Sequence, residues 1–347
     1  VIVMRDYSLV GESARQAVER GLATGNWYRT PVPRARMKQL MQRRNGPAIR
    51  DTIVWIALLI VSGGAAAWLF PSWWSVPCFL VYGVLYGSAS DSRWHECGHG
   101  TAFRTRWMND VVYQLACFMI MRNPTQWRWS HARHHTDTII VGRDPEIITM
   151  RPPKILPVLL NFVGLVDVPL YYRALARHVL GRLSPAEADY IPQTEHRRVV
   201  RVARIHGLVH VVIVVWALAA GSILPVLLFG PLPRLYGGWH VMMTGLIQHT
   251  GMADNVLDHR LNTRTCYMNP LTRFVYWNMN YHIEHHMYPM VPFHALPALH
   301  DEIKHDLPTP TAGIVPAFRE MVPVLLGQRR DPELTVAVVL PRASASA

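Results

Sequence analysis

Long apolar runs alternate with basic, polar stretches along this chain. A helix that crosses a bilayer needs about 20 mostly apolar residues, and four segments approach that length. Ile53–Phe70 lies between Arg50–Asp51 and Pro71. Trp73–Ser90 follows it after the uncharged turn PSWWS, so the pair reads as a hairpin with Trp73 and Trp74 at an interface. Val202–Ala220 is the third segment, and Ser222 to about Met243 is the fourth. Pro225, Pro231 and Pro233 interrupt the fourth, and the Gly221–Ser222 turn before it is again uncharged. Ile155–Tyr172 is also apolar, but it holds Pro157, Asn161, Asp167 and Pro169. If it crossed, Arg173, Arg177, Arg182, Arg197, Arg198 and Arg201 would lie on the far side, against the positive-inside rule. It reads as a helix lying at the interface. Val111–Met121 is too short to span and reads similarly. The pattern predicts an all-α membrane protein with four transmembrane helices in two hairpins, interfacial helices, and a helical cap.

Charge orients these elements. Arg5, Arg15, Arg20, Arg29, Arg34, Arg36, Lys38, Arg43, Arg44 and Arg50 precede the first span, so that end is expected in the cytoplasm, and residues 91–201 and 244–347 return to the same side. Half of the 347 residues are hydrophobic and 17% are charged, against about 25% in soluble domains. The formal charge of +12 comes from basic stretches that flank apolar segments. That arrangement points to membrane orientation and an acidic protein partner rather than to nucleic acid. Residues 1–50 lack an apolar signal-peptide core and read as a basic cytosolic region. Residues 51–305 read as the membrane and cap domain, and 306–347 as a cytosolic tail ending in Pro341–Ala347, expected to be disordered. Cys78, Cys97, Cys117 and Cys266 form no C-x-x-C pair, which argues against a zinc ribbon, an iron–sulfur site or a disulfide framework.

The 18 histidines carry the candidate chemistry. Eight fall into three groups: His95 and His99 in HECGH; His131, His134 and His135 in HARHH; His282, His285 and His286 in HIEHH. Positions i, i+3 and i+4 share a helix face, so each group presents its imidazoles in one direction, and all three groups fall on the predicted cytoplasmic side. HECGH alone fits the zinc-protease motif H-E-x-x-H. A catalytic zinc takes three protein ligands, however, and eight imidazoles fit two metals better. An intramembrane protease would also be expected to show a distal Asp motif on a later span, whereas VLDH at 256–259 lies past the last one. Imidazole suits iron, copper, zinc and nickel alike. His206, His210 and His240 offer a haem-binding alternative but read as polar contacts within the bundle. A metal transporter would need ionisable residues deep in several spans, and few are present. His294, His300 and His305 read as surface residues; Asp137, Asp144, Asp254 and Asp258 are candidates to support a ligand imidazole but read first as caps or surface charges.

HxxxH, HxxHH and HxxHH, in this order and placement, resemble the membrane-bound fatty acid desaturase and hydroxylase superfamily over roughly residues 50–305. The stretches QHTGMADNVLDHRLNTRT and NMNYHIEHHMYPMVPFHALPALHDEIKHD look like a bacterial branch that includes oxygenases linked to rhizopine breakdown. The resemblance implies two non-haem iron ions held by the box histidines in a cytosolic cap, O2 as co-substrate, and a lipid or other hydrophobic substrate in a bacterial inner membrane. It also implies a ninth ligand after the fourth span: His249, with His259 as runner-up. Glu96 and Glu284 are expected to support the imidazoles or to act closer to the metals. The chemistry implied is cleavage of an unactivated C–H bond, ending in desaturation or in hydroxylation. No Gly-rich dinucleotide fingerprint or fused haem domain is encoded, so the electrons are expected from a ferredoxin- or rubredoxin-like donor docking on the Arg-rich face.

Overall fold

The computed structural model describes residues 5–341; of the expected disordered tail, all but Pro341 lies outside them. Among the described residues the chain is helical, with one isolated bridge between Cys266 and Thr311. All four cysteines are free.

Two helical segments, Arg34–Leu69 and Gln193–Ala219, are long and apolar enough to cross a membrane. Within the first, the helix Asn45–Leu69 buries Trp55, whose indole N–H donates to Leu85 O at 2.8 Å, and turns Ile53, Ile60, Val61 and Trp68 outward. In the second, the helix His196–Ala219 exposes Val211, Val212, Val214, Val215 and Leu218. Apolar surface this extensive is what a lipid-facing helix presents.

The other two expected spans are interrupted. Ser75–Val84 runs into a π-turn at Leu85–Ala89 and resumes as Ser90–Gly98. The chain then breaks at Gly230–Pro231 between Leu224–Phe229 and Leu232–His249, where proline removes a backbone donor. A π-turn inserts one residue and rotates the downstream face by roughly 100°. It therefore sets the direction in which His95 and His99 leave the bundle. The two interrupted helices touch at glycines: a Cβ on Gly237 would stand 2.1 Å from the Gly83 carbonyl. Only glycine permits backbones this close.

Ile155–Tyr172 is not one helix. Ile155–Asn161 and Asp167–Val179 are separated by a turn with Gly164 at φ +68°. Neither is long enough to cross. Asn161 fixes the turn by accepting from the Asp167 N–H at 2.9 Å. The C-terminal region is more than a tail: the helix Ile314–Gly327 packs Met321 and Leu325 against Met242 and Leu246. Its apolar face was readable at helical spacing but lay beyond the expected domain boundary.

Candidate metal centre

Each histidine box sits on a helix anchored to the bundle. HECGH ends the helix Ser90–Gly98, with His99 at its C-cap. HARHH lies on Pro124–Thr136, whose N-cap Asn123 accepts from Thr125 N and Gln126 N. Asn123 also donates to Val199 O at 2.9 Å, tying this helix to the third apolar segment. HIEHH forms the short helix His282–Met287, which is buried along its whole length. His249 is the last residue of Leu232–His249.

The boxes converge and then exchange members. His95, His99, His131, His135 and His285 form one group, and His134, His249, His282 and His286 form another; within each group the ligand nitrogens lie within 4.8 Å of one another. Box two sends His131 and His135 to the first group and His134 to the second. Box three sends His285 to the first and the other two to the second.

The facing atoms are mostly Nε2. His99–His131, His131–His135, His135–His285, His249–His282 and His282–His286 each place two Nε2 atoms 3.1 Å apart. A neutral imidazole nitrogen either carries a proton or offers a lone pair, not both. His131, His135 and His282 each face two other Nε2 atoms, so single shared protons leave good geometry unmet. Two nitrogens bonded to one ion at about 2.0–2.1 Å and roughly 90–100° apart stand about 3 Å from each other. The spacing is that of ligands around a cation. Both nitrogens of His95, and Nδ1 of His135, His282 and His285, are buried without a hydrogen-bond partner, which is costly unless something else claims them.

The electrostatics suit a cation as well. Burial holds His95, His131, His135, His282, His285 and His286 well below the ordinary histidine range, and takes His99 to about 4 and His249 to about 3. These rings are neutral at pH 7 and have lone pairs to give. His134 differs: burial opposes its charge, but the Asp144 carboxylate outweighs burial and raises the pKa.

Four imidazoles are oriented through Nδ1. His134 meets Asp144 at 2.9 Å, and His131 meets Glu146 at 3.1 Å. His249 meets Asn262 O at 3.0 Å, and His286 meets the Thr138 hydroxyl at 3.2 Å. Such partners turn Nε2 toward a metal. Asp144, expected to be an ordinary cap or surface charge, is buried and does this work. Glu146 was not anticipated; the signal was its place two residues after Asp144 in DPE, on the loop leaving box two.

Glu96 is fully buried. One oxygen accepts from Phe293 N at 3.0 Å and from Thr101 Oγ1 at 3.3 Å. The other stands 3.6 Å from His95 Nδ1 and 3.8 Å from His285 Nδ1. Burial pushes Glu96 up to about 8 and Glu146 up to about 7. Glu284 departs from expectation. It lies on the face of its helix away from the box imidazoles, accepting from Thr265 Oγ1 at 2.6 Å and meeting His300 Nδ1. His300 is therefore not a surface residue: it is 4% exposed and also meets the Tyr267 hydroxyl at 3.0 Å. His294 is partly buried and His305 exposed.

His259 lies outside both groups. The haem alternative does not assemble either. His206 and His210 share the Tyr171 hydroxyl at 3.4 and 3.3 Å, while His240 meets Ser88 at 3.0 Å.

Among the described residues, which are helical, nine imidazoles converge in two groups that could each hold a metal ion. The sequence pattern of the family described as fatty acid desaturase matches residues 71–316, and the chain belongs to that family. Its relatives include the omega-6 fatty acid desaturase, endoplasmic reticulum isozyme 1, of Glycine max, 32% identical over 24% of this chain and 22% of the relative. The sn-1 acyl-lipid omega-3 desaturase (ferredoxin) of Nostoc sp. (strain 36) is 30% identical over 27% of this chain and 25% of its own. The acyl-lipid omega-3 desaturase (cytochrome b5), endoplasmic reticulum, of Arabidopsis thaliana is 22% identical over 75% and 70%. The chain thus matches less than a third of the first two relatives' length.

Proposed function

We propose that this chain is an O2-dependent, non-haem diiron oxidoreductase that breaks an unactivated C–H bond, desaturating a fatty acyl or lipid chain. The observation that carries the reading is the division of nine imidazoles into groups of five and four with ligand nitrogens within 4.8 Å. Imidazole sets admit several metals; family membership favours iron. The five and the four histidines would each hold one ion, and the pair of ions would supply the O2 chemistry that no side chain provides.

The protein's own work is positional. Asp144, Glu146, Thr138 and the Asn262 carbonyl hold Nδ1 of their histidines, and Glu96 stands between His95 and His285 with its second oxygen pinned by Phe293 and Thr101. Asp144→Asn should lower metal affinity roughly 10- to 100-fold, read as metal retained during titration with a chelator. Retention equal to wild type would sink this role for Asp144. The interrupted helices supply the second and fourth of four spans in this reading, with both termini and the metal centre in the cytoplasm of a bacterial cell.

A cavity of about 890 Å³ opens onto His95, His131, His134, His249 and His282. Trp94, Ile120, Met121 and Leu175 give it apolar wall, as a substrate chain requires. Asp91, Arg122, Gln126, Arg151 and Lys154 line it as well. That polarity favours a second reading, hydroxylation of a lipid or small molecule by the same centre. Expression with a ferredoxin system and mass analysis of lipids and small metabolites separates the two. Loss of two hydrogens marks desaturation, gain of one oxygen marks hydroxylation, and an unchanged profile contradicts both.

A further inference from the structure

His259 has no role in either histidine group, yet it is 2% exposed and its Nδ1 has no hydrogen-bond partner. Its ring stacks on Trp27, with centroids 4.2 Å apart and planes 3° from parallel. Its centroid is also 5.0 Å from that of His286, with the planes tilted by 40°. Trp27 is partly exposed, and its indole N–H donates to Thr136 O at 2.9 Å, at the end of the box-two helix. An unbroken series of π-systems therefore runs from the cap surface to a member of the second histidine group. Parallel stacking of Trp27 on His259 at this distance is a favourable aromatic contact, so the outer link of the series is held in place.

The surface beside Trp27 carries one unpaired cation. Arg29, two residues on, is exposed and makes no ion pair among the described residues. The nearby acids are already paired: Arg260 holds Asp258 at 2.8 Å and Asp306 at 2.7 Å, and its guanidinium lies 3.6 Å over the Tyr28 ring.

We propose that Trp27 and His259 form the route by which electrons reach the metal centre, and that an acidic one-electron carrier protein docks over Trp27 and Arg29. This rests on the diiron reading. Each encounter would oxidise the carrier by one electron, which Trp27 and His259 would pass toward the ion that the group containing His286 would hold. Two encounters deliver two electrons. With the two electrons and two protons of the substrate's broken C–H bonds, and two further protons from solvent, they would reduce one O2 to two waters as the double bond forms. Trp27 and His259 are positioning residues; neither lines the cavity at the histidine groups.

The test uses the full-length, iron-loaded protein in detergent, with a plant-type [2Fe–2S] ferredoxin as the probe. Three quantities are read: ferredoxin affinity, the rate of ferredoxin oxidation in stopped flow at saturating ferredoxin, and the rate of reduction by dithionite. Arg29→Glu should weaken ferredoxin affinity about tenfold and flatten its salt dependence. Trp27→Leu should slow ferredoxin oxidation several-fold at saturation while dithionite reduction stays at the wild-type rate, and Trp27→Phe should recover most of the loss. Ferredoxin oxidation by Trp27→Leu at the wild-type rate overturns the route, as does an equal slowing of both reductions, which marks a structural role. Unchanged affinity in Arg29→Glu overturns the docking surface. A wild-type chain that binds no iron overturns the diiron reading itself, an outcome distinct from the others.

Discussion

Replacing His134 by Ala is expected to abolish product, with a loss greater than the roughly 100-fold that removing a supporting partner can cause. Two effects add. The second group falls from four imidazoles to three, and the buried Asp144 carboxylate loses its imidazole partner, keeping only the Ile139 and Glu146 backbone N–H donors. Losing a hydrogen bond to a buried charged group costs about 1.5–3 kcal/mol. His285→Ala strikes the other group and should also abolish product, but with milder loss of stability, because its Nδ1 makes no hydrogen bond to lose. Product formation, measured beside helicity by circular dichroism, separates loss of the centre from loss of the fold. Activity surviving in both variants would defeat the assignment of these histidines.

Gly237→Leu should prevent stable folding. A Cβ at 237 would already sit 2.1 Å from the carbonyl carbon and oxygen of Gly83 and 2.4 Å from its Cα. Backbone atoms cannot rotate aside as a side-chain tip can, so the helices must separate. Overpacking costs about 1–3 kcal/mol where side chains can yield, and more is expected where backbone meets backbone. The damage would also travel. Gly237 shares its helix with His249, and Gly83 lies upstream of the π-turn that aims His95 and His99. Separation at the glycines would draw ligands of both groups apart. Thermal unfolding in detergent and metal content should fall together. Wild-type values of both would show that this contact is not needed.

The histidine boxes were legible because i, i+3 and i+4 spacing follows from helix geometry alone. The first and third apolar segments were legible because their runs are long and unbroken. The remainder depended on contacts distant in sequence. Spacing within a box cannot tell that His134 leaves its neighbours for the second group, since that depends on which helix faces it. Asp144 read first as a cap or surface charge, and Glu146 drew no notice, because their partners lie on the helix before them. Glu284 sits inside HIEHH and looked like a ligand's companion, yet two residues past His282 its face of the helix points to His300. His300 looked superficial because a histidine in a polar segment gives no sign of burial. The second and fourth apolar segments were readable as apolar runs, but not the π-turn or the glycine contact that joins their helices.

In the proposed centre, two irons would sit in the two histidine groups of one chain. The most direct measurement is elemental analysis of the purified, folded protein, coupled to Mössbauer spectroscopy on material grown with 57Fe. The account predicts two irons per chain in nitrogen-rich coordination, falling toward one in His134→Ala. A single zinc per chain, or no bound metal in protein that is otherwise folded, would contradict it.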